Sequence, residues 1–552
     1  MLKKTMTTLR IALAQLNPTV GNLKGNAEKV ISAIKEAESY GVDILVFPEL
    51  SIIGSPPNDL LFCESFLKQA ETETNRLIPY TKNMVAILGS ICKEGRSLFN
   101  SAYIMAYGKK NYVYHKRSLT ERFHVKESRY FNKGSKPCVL KMDGASIEVI
   151  MGDEIEEHAL RDGVSIHLIM DSSFYRLKEI HLRKRRINSI LSKGTVGYAN
   201  LSGGQDEWIF SGGSFFSNNG RVMAESPLFV EDLLILDVSC EKGVSCEGAI
   251  ELEKKRNSYS PLPKRKERLR YTEIEEVINA LIVSTGDYFK KNGFGRIFIG
   301  LSGGIDSAIV AYIASKAVGR EKVTCLFMPT RYTSKESYED AKEIAKNLGV
   351  NLIEIPIDKL FDSYLKLLKN HMGEGIGEIT AENIQPRIRA NILMAFSNNF
   401  NGLVLTTGNK SEIATGYCTL YGDTAGGFSV LKDIPKTLVY RIANYINRKE
   451  GTYVIPKRVL KKPPSAELKY GQKDSDTLPP YELLDIIIGG YIEGEIKLKK
   501  QMDRIDPKAI EETRKRFLRN EFKRKQAPIG PIISSKSFLE ESNFPITNLW
   551  RG

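Results

Sequence analysis

Six consecutive residues, Ser302-Gly303-Gly304-Ile305-Asp306-Ser307, bring together the types that polyphosphate chemistry needs. Glycines at 303 and 304 let a backbone approach a ligand closely, and the free N–H groups at a helix start, its positive dipole end, bind phosphate oxygens. Asp306 then has a use, because Mg²⁺ favours carboxylate and phosphate oxygens together. No Gly-Lys-Ser/Thr ending follows, so the loop is not of the Walker type. A second group lies downstream in LVLTTGNKSE, where two threonines and Glu412 follow an apolar run and could bind a nucleotide and a metal. Asn383, Gln385, Arg387 and Arg389 flank Pro386, where the pattern suggests a helix start near an anion. In the first half, Glu49 closes the apolar run DILVFPE, at a strand end of the kind where α/β proteins place their chemistry.

The elements that must carry these residues are legible around them. Ile297, Phe298 and Ile299 form a short buried strand that stops at the glycine loop, and AIVAYIASKAVG continues as a helix. VTCLFMPT and NLIEIPID predict two further strands, and EDAKEIAKNLG a helix that ends on Gly349. Strands separated by helices of this length give a parallel, doubly wound sheet with ligands at the carboxyl ends of its strands. ENIQPRIRANILMAFSNNF reads as helical after Pro386, whereas 462–468, 475–485 and 523–532 are Pro-rich and read as loops. An amphipathic helix from Tyr271 presents Ile274, Val277, Ile278, Leu281 and Ile282 on one side. The first half alternates strand and helix from Arg10, with apolar helix positions at 30, 31, 34 and 37, and repeats strands at VAILGSI, SAYIMAY and IEVIMG. That is an α/β layer pattern. Residues 239–270 show no sustained period and read as a connector between domains 1–238 and 271–552.

At 552 residues the chain exceeds one core, since domains run to roughly 100–200 residues. Its 42% hydrophobic and 26% charged residues are those of a globular protein. The net charge of +14 is a weak guide to partners. The basic clusters Arg183–Arg186 and Lys264–Arg270 lack interleaved aromatics and read as solvated helix faces, so no nucleic-acid partner is expected. Seven scattered cysteines without a CxxC pair, and six histidines without HExxH, indicate neither a disulfide framework nor a zinc site. Arg10 and Gln15 interrupt what would be the apolar part of a signal peptide, and no run of about 20 apolar residues occurs. A cytoplasmic location without membrane contact is the expectation.

AQLNPTVGN, FPEL, LFNSA, HKRSL, KESRYF and GGQDE make residues 9–238 resemble the nitrilase-type amidase domain, which implies an αββα sandwich. Members of that family combine Glu, Lys and Cys: the carboxylate takes the thiol proton, the thiolate attacks an amide, and Lys steadies the oxyanion. By this resemblance Glu49 matches the base, Lys116 the lysine and Glu127 a second glutamate, while Gly152 stands where the cysteine is expected. Thr120, Glu121 and Arg122 replace a usual Pro-Asn-Tyr, and Asp171-Ser172-Ser173-Phe174 a usual Asn-Ala-Ser-Pro. The resemblance therefore implies the amidase shape without its reaction, and Glu49 and Lys116 as a buried ion pair supporting the fold.

MPTRYTS, ENIQPRIR, TTGNKSE, YGDTAGGF, PSAEL, LPPY and PITN, together with the glycine loop, resemble the synthetase domain of glutamine-dependent NAD synthetases from about 275 to 548. That domain is an N-type ATP pyrophosphatase, an adenine nucleotide alpha hydrolase-like sheet. The resemblance implies that Gly300, Leu301, Ser302, Gly303, Gly304, Ile305, Asp306, Ser307, Thr407 and Ser465 bind ATP, with Lys432 a looser match. It places Mg²⁺ on Asp306 and Glu412, and deamido-NAD⁺ on Asn383, Arg387, Glu412 and Lys523. Leu420 stands where ammonia-using relatives have a lysine. The implied activity is ATP-dependent amidation of deamido-NAD⁺ through an acyl-adenylate, with ammonia as donor because Gly152 has no thiol. A homo-oligomer is implied, and a separate glutaminase could supply the ammonia. A glutamine-hydrolysing synthetase and a nucleotide-binding scaffold without catalysis are the alternatives.

Overall fold

The computed structural model describes residues 6–121, 125–157, 163–241, 248–255, 259–263, 271–372, 375–535, 537–538, 544–547 and 549–550. Two compact units divide the chain, Met1–Arg270 and Tyr271–Gly552.

In the first unit a six-stranded sheet has the order Asp232–Glu241, Met6–Gln15, Ile44–Val46, Val85–Glu94, Ser97–Ala106, Lys109–His115. A seven-stranded sheet has the order Arg221–Glu225, Phe215–Asn218, Thr195–Ala199, Ile166–Met170, Ala145–Met151, Cys138–Met142, Ile250–Leu252. The period of two decides which side chains meet. Leu9, Ile11 and Leu13 join Leu140, Val149 and Leu168 in the core between the sheets. Ala12 and Ala14, on the other face, pack with Val30, Ile31 and Ile34 of the helix Leu23–Ser39. Ile150, Ile169 and Val196 of the second sheet cover Ile187 of the helix Glu179–Ile190. The layers are therefore helix, sheet, sheet, helix.

Two readings of this half change. Residues 239–270 carry the end of Asp232–Glu241 and the strand Ile250–Leu252, which pairs in parallel with Cys138–Met142. A strand of three residues is too short to show a period. The cluster Arg183–Arg186 is not a solvated face: Arg183 is buried and donates to Tyr198 Oη and Phe174 O, Lys184 pairs with Glu225, and Arg186 pairs with Glu156 and Glu179. Their helix lies against a sheet, so Arg183 and Lys184 meet acceptors instead of water, while Arg185 stays exposed. Lys264–Arg270 lies outside the described residues.

The second unit is a five-stranded, wholly parallel sheet in the order Asn351–Glu354, Val323–Phe327, Arg296–Gly300, Gly402–Thr406, Phe428–Ser429. Read in chain order this is 3-2-1-4-5, so the winding reverses between Arg296–Gly300 and Gly402–Thr406, the crevice where doubly wound folds bind ligands. Thr272 and Glu275 form a capping box that starts the helix Glu273–Lys291. Gly349 ends the helix Lys335–Leu348 in the left-handed conformation. Phe298 and Val404 pack with Phe361, Ile388 and Leu393 on one face of the sheet.

Proline misleads twice. The helix reaches from Glu378 to Phe400 with Pro386 inside it, so Asn383 and Gln385 lie within the helix and not before its first turn. An interior proline costs about 3 kcal/mol; burial of Ile384 and Ile388 against the sheet cluster helps to offset it. Pro480 precedes a helix, Tyr481–Ile487, instead of sitting in a continuous loop, as a proline at a helix start can.

Candidate active site

At the reversal point the chain builds a cavity of about 440 Å³. The strand Arg296–Gly300 delivers the loop, and Gly304 is the N-cap of the helix Ile305–Val318. Gly303 has φ +81°, and a Cβ there would stand 2.3 Å from Ser337 O, so only glycine fits. Ser307 Oγ donates to Gly304 O at 3.0 Å, and Gly304 N donates to Ser302 Oγ at 3.2 Å. These bonds close the loop on itself.

Gly300 to Ser307, Asn383, Thr407, Glu412 and Ser465 all line this one cavity. Asn409 caps the helix Lys410–Thr415 and gives a second bond, Nδ2 to Asp306 Oδ1 at 3.1 Å. Thr419 Oγ1 donates to Asn383 Oδ1 at 2.7 Å, and Ser465 Oγ donates to Gln472 O. Three proposed residues lie elsewhere. Lys432 is buried outside the lining; Arg387 is exposed and donates to Leu420 O; Lys523 ties the carbonyls of Gly416 and Cys418, which do line the cavity.

A lysine the sequence reading missed stands at the centre. Lys436 Nζ bridges Asp306 Oδ2 and Glu412 Oε1, at 2.5 and 3.2 Å. It opens the helix Lys436–Glu450 directly after Pro435. A cation at a helix N-terminus opposes the macrodipole, and that misplacement was the one available signal. Burial pushes Glu412 up from the ordinary carboxylate range, Lys436 pulls it back, and Asp306 and Asp474 add to the rise. One ammonium among three carboxylates leaves negative charge uncompensated, and these hard oxygen donors beside a phosphate-type loop fit a Mg²⁺ ion.

The first unit has its own cavity, of about 260 Å³. Lys116 Nζ meets Glu49 Oε2 at 3.1 Å and Glu127 Oε2 at 3.0 Å, all three buried. Asn100 Nδ2 donates to both glutamates, and Thr120 N donates to Glu127. The other oxygen of Glu49, Oε1, is buried without a hydrogen-bond partner. Gly152 has φ +50°, and a Cβ on it would sit 2.7 Å from that oxygen and 3.0 Å from Lys116 Nζ. Burial raises Glu49, and the charges of Glu127 and Glu49 hold Lys116 firmly protonated against its own burial. Among the described residues no cysteine lines this cavity. Asp171 accepts from Ser173 and Tyr198, and Arg183 reaches the same tyrosine. Arg122 lies outside the described residues.

Both units match known families: residues 10–246 the carbon-nitrogen hydrolases and residues 277–527 the NAD synthases. The glutamine-dependent NAD(+) synthetase of Thermotoga maritima is 40% identical over 99% of this chain and 100% of its own length. The chain belongs to the glutamine-dependent NAD(+) synthetase family. Acinetobacter baylyi has another such synthetase, 37% identical over 99% of both chains. The solved structure of the glutamine-dependent NAD⁺ synthetase from Acinetobacter baumannii, in complex with adenosine diphosphate, aligns over 99% of each chain with TM-score 0.74 and 34% identity. The one from Cytophaga hutchinsonii aligns over 98% of each with TM-score 0.82 and 18% identity, a likeness of fold. As an NAD⁺ synthetase the protein is a carbon–nitrogen ligase of NAD biosynthesis, and its larger cavity is the NAD synthase unit's own. No described helix of the synthetase is long and apolar enough to cross a membrane.

Proposed function

We propose that this synthetase amidates deamido-NAD⁺ with ammonia, taken from solution or from a separate glutaminase. The observation that carries the choice of donor is Gly152, which holds no side chain at the point facing both Glu49 Oε1 and Lys116 Nζ. Covalent amide hydrolysis needs a nucleophile there.

A nicotinate carboxylate is a poor acceptor for ammonia, because its leaving group would be oxide. In the reading proposed, its oxygen attacks the α-phosphorus of ATP, the bond to the bridging oxygen breaks, and pyrophosphate leaves an acyl-adenylate. Ammonia then adds to the carbonyl carbon, loses a proton, and AMP departs. The amides of the loop from Ser302 to Ser307 receive the pyrophosphate oxygens, with Thr407 and Ser465 on the nucleotide. Lys436 lends positive charge beside the same loop. Asn383 and Glu412 within the cavity, and Arg387 and Lys523 outside its lining, are assigned to deamido-NAD⁺. Asp306 and Glu412 would hold Mg²⁺, which when bound neutralises charge on phosphate oxygens. A homo-oligomer and ATP as co-substrate belong to the same reading.

The test supplies the purified protein with deamido-NAD⁺, ATP and Mg²⁺, and either ammonium or glutamine. NAD⁺ formation with ammonium and a glutamine rate close to the blank is the expected result; efficient glutamine use would overturn the proposal. Gly152→Cys extends the comparison. Its Cβ must displace the ends of the Glu49 and Lys116 side chains, and a non-glycine at positive φ costs about 1–3 kcal/mol. The variant is expected to gain a thiol alkylated by haloacetamides and a glutamine-dependent rate. Glutamine hydrolysis is the second reading, favoured by the names of the relatives and by the persistence of Glu49, Lys116 and Glu127 around a cavity.

A further inference from the structure

A second cluster of chemically capable side chains lies on the six-stranded sheet. Cys92 and Glu94 are two apart on the strand Val85–Glu94, and His115 ends the strand Lys109–His115, with Ser97–Ala106 between them. Register pairs Cys92 with Phe99, Glu94 with Ser97 and His115 with Ser101, so all six share one face. Asn100 points to the opposite face and reaches Glu49. The thiol, one carboxylate oxygen and one imidazole nitrogen lie within 4.8 Å of one another. Spacing along the chain gives no hint of this set, because the sheet assembles it.

The hydrogen bonds around His115 orient it as a ligand. Ser101 Oγ lies 2.8 Å from His115 Nδ1 and 3.3 Å from Phe99 O, so the hydroxyl holds the ring in place from its Nδ1 side. With its proton on Nδ1, donated to Ser101 Oγ, the ring would offer the lone pair of Nε2 to an ion. Nε2 faces Glu94 Oε1 at 3.2 Å. In that tautomer both atoms are acceptors, and a cation between them would satisfy both. Ligand atoms about 2.0–2.1 Å from a tetrahedral zinc lie roughly 3.3 Å apart, which matches this separation. Phe99 stacks on the imidazole with centroids 4.2 Å apart and fixes its plane. A metal-bound histidine commonly has its other nitrogen held in this way.

We propose that Cys92, Glu94 and His115 form a site for one divalent ion of the zinc class, solvent completing a four-coordinate shell. Binding converts the Cys92 thiol to thiolate and releases that proton to solvent. Burial keeps the metal-free thiol protonated. The ion ties the strand that ends one residue before Lys116 to Val85–Glu94, across the strand that carries Asn100, and so acts as a structural staple.

Cobalt titration of the untagged, chelator-treated full-length protein tests this. One equivalent of Co²⁺ is expected to give a near-ultraviolet thiolate-to-cobalt charge-transfer band that Zn²⁺ removes, and Zn²⁺ is expected to raise the melting temperature. Cys92→Ser and His115→Ala should abolish the band, while Cys63→Ser, which removes an exposed thiol, should keep it. Glu94→Gln, on an exposed side chain, should weaken Co²⁺ binding at least about tenfold yet leave the band. A band that survives Cys92→Ser would overturn the proposal. So would the lack of any band together with an imidazolium at His115, seen by NMR, paired to Glu94.

Discussion

The buried ions of the two cavities differ in what their removal should do. Lys116 is the only cation in contact with Glu49 and Glu127 among the described residues, so Lys116→Met leaves a buried charge without its partner and should cost about 3–5 kcal/mol. Glu49 contributes differently. Its Oε1 has no partner, and burial raises its pKa, so the folded state binds a proton that the unfolded state has released. Stability contributed by this group is therefore present in the carboxylate range and is lost as pH rises through the raised value. Glu49→Gln should leave stability at neutral pH unchanged or higher and flatten that slope, which urea unfolding across pH measures. Neither change should alter ammonium-dependent turnover. In the second unit Lys436→Met leaves Asp306 and Glu412 without their shared ammonium, and kcat with ammonium should fall about 10²-fold or more. Beyond its misplacement at a helix start, nothing singled out Lys436 in a chain with 80 lysines and arginines, because only the sheet winding brings 306, 412 and 436 together. Lys432, the lysine that resemblance offered, is four residues and one helix start away.

At the scale of elements, glycines 303 and 304 look equivalent in sequence and are not. Gly303 combines φ +81° with a Cβ position 2.3 Å from the backbone of Ser337, whereas a Cβ on Gly304 meets only Ser302 Oγ at 3.2 Å. Gly303→Ala must move the loop or the start of the helix Lys335–Leu348; a loss of about 2 kcal/mol or more and a raised KM for ATP are expected. Gly304→Ala should unfold within about 0.5 kcal/mol of the parent; equal midpoints for the two variants would refute the distinction. The elements that sequence disclosed were those with a strong local signature: the strand–loop–helix at 296–318, the capped helix before it, and the alternating strands of the first half. Those it hid depended on tertiary burial. Pro386 stays inside a helix whose Ile384, Ile388 and Leu393 pack with Phe298 and Val404 of the sheet. Ile250–Leu252 is a strand only because an edge was available to pair with. Arg183 is buried because its helix lies on the second sheet.

For the whole molecule, the two units are separate in the way that matters for folding. Every strand of the parallel sheet and every residue of its apolar clusters comes from the chain beyond Tyr271, and both sheets of the sandwich close before Arg270. A unit with its own core can fold alone, so Tyr271–Gly552 expressed by itself should unfold cooperatively. Its cavity is lined only by its own residues, from Gly300 to Asp474. With ammonium, this fragment should therefore form NAD⁺ at a rate comparable to the whole chain, and with glutamine it should form none. The full-length protein should show two unfolding transitions by calorimetry, since single two-state behaviour belongs to single cores. A fragment that folds yet makes no NAD⁺ from ammonium would mean that the first unit supplies a group to the chemistry. The sandwich would then be a working part of the ligase.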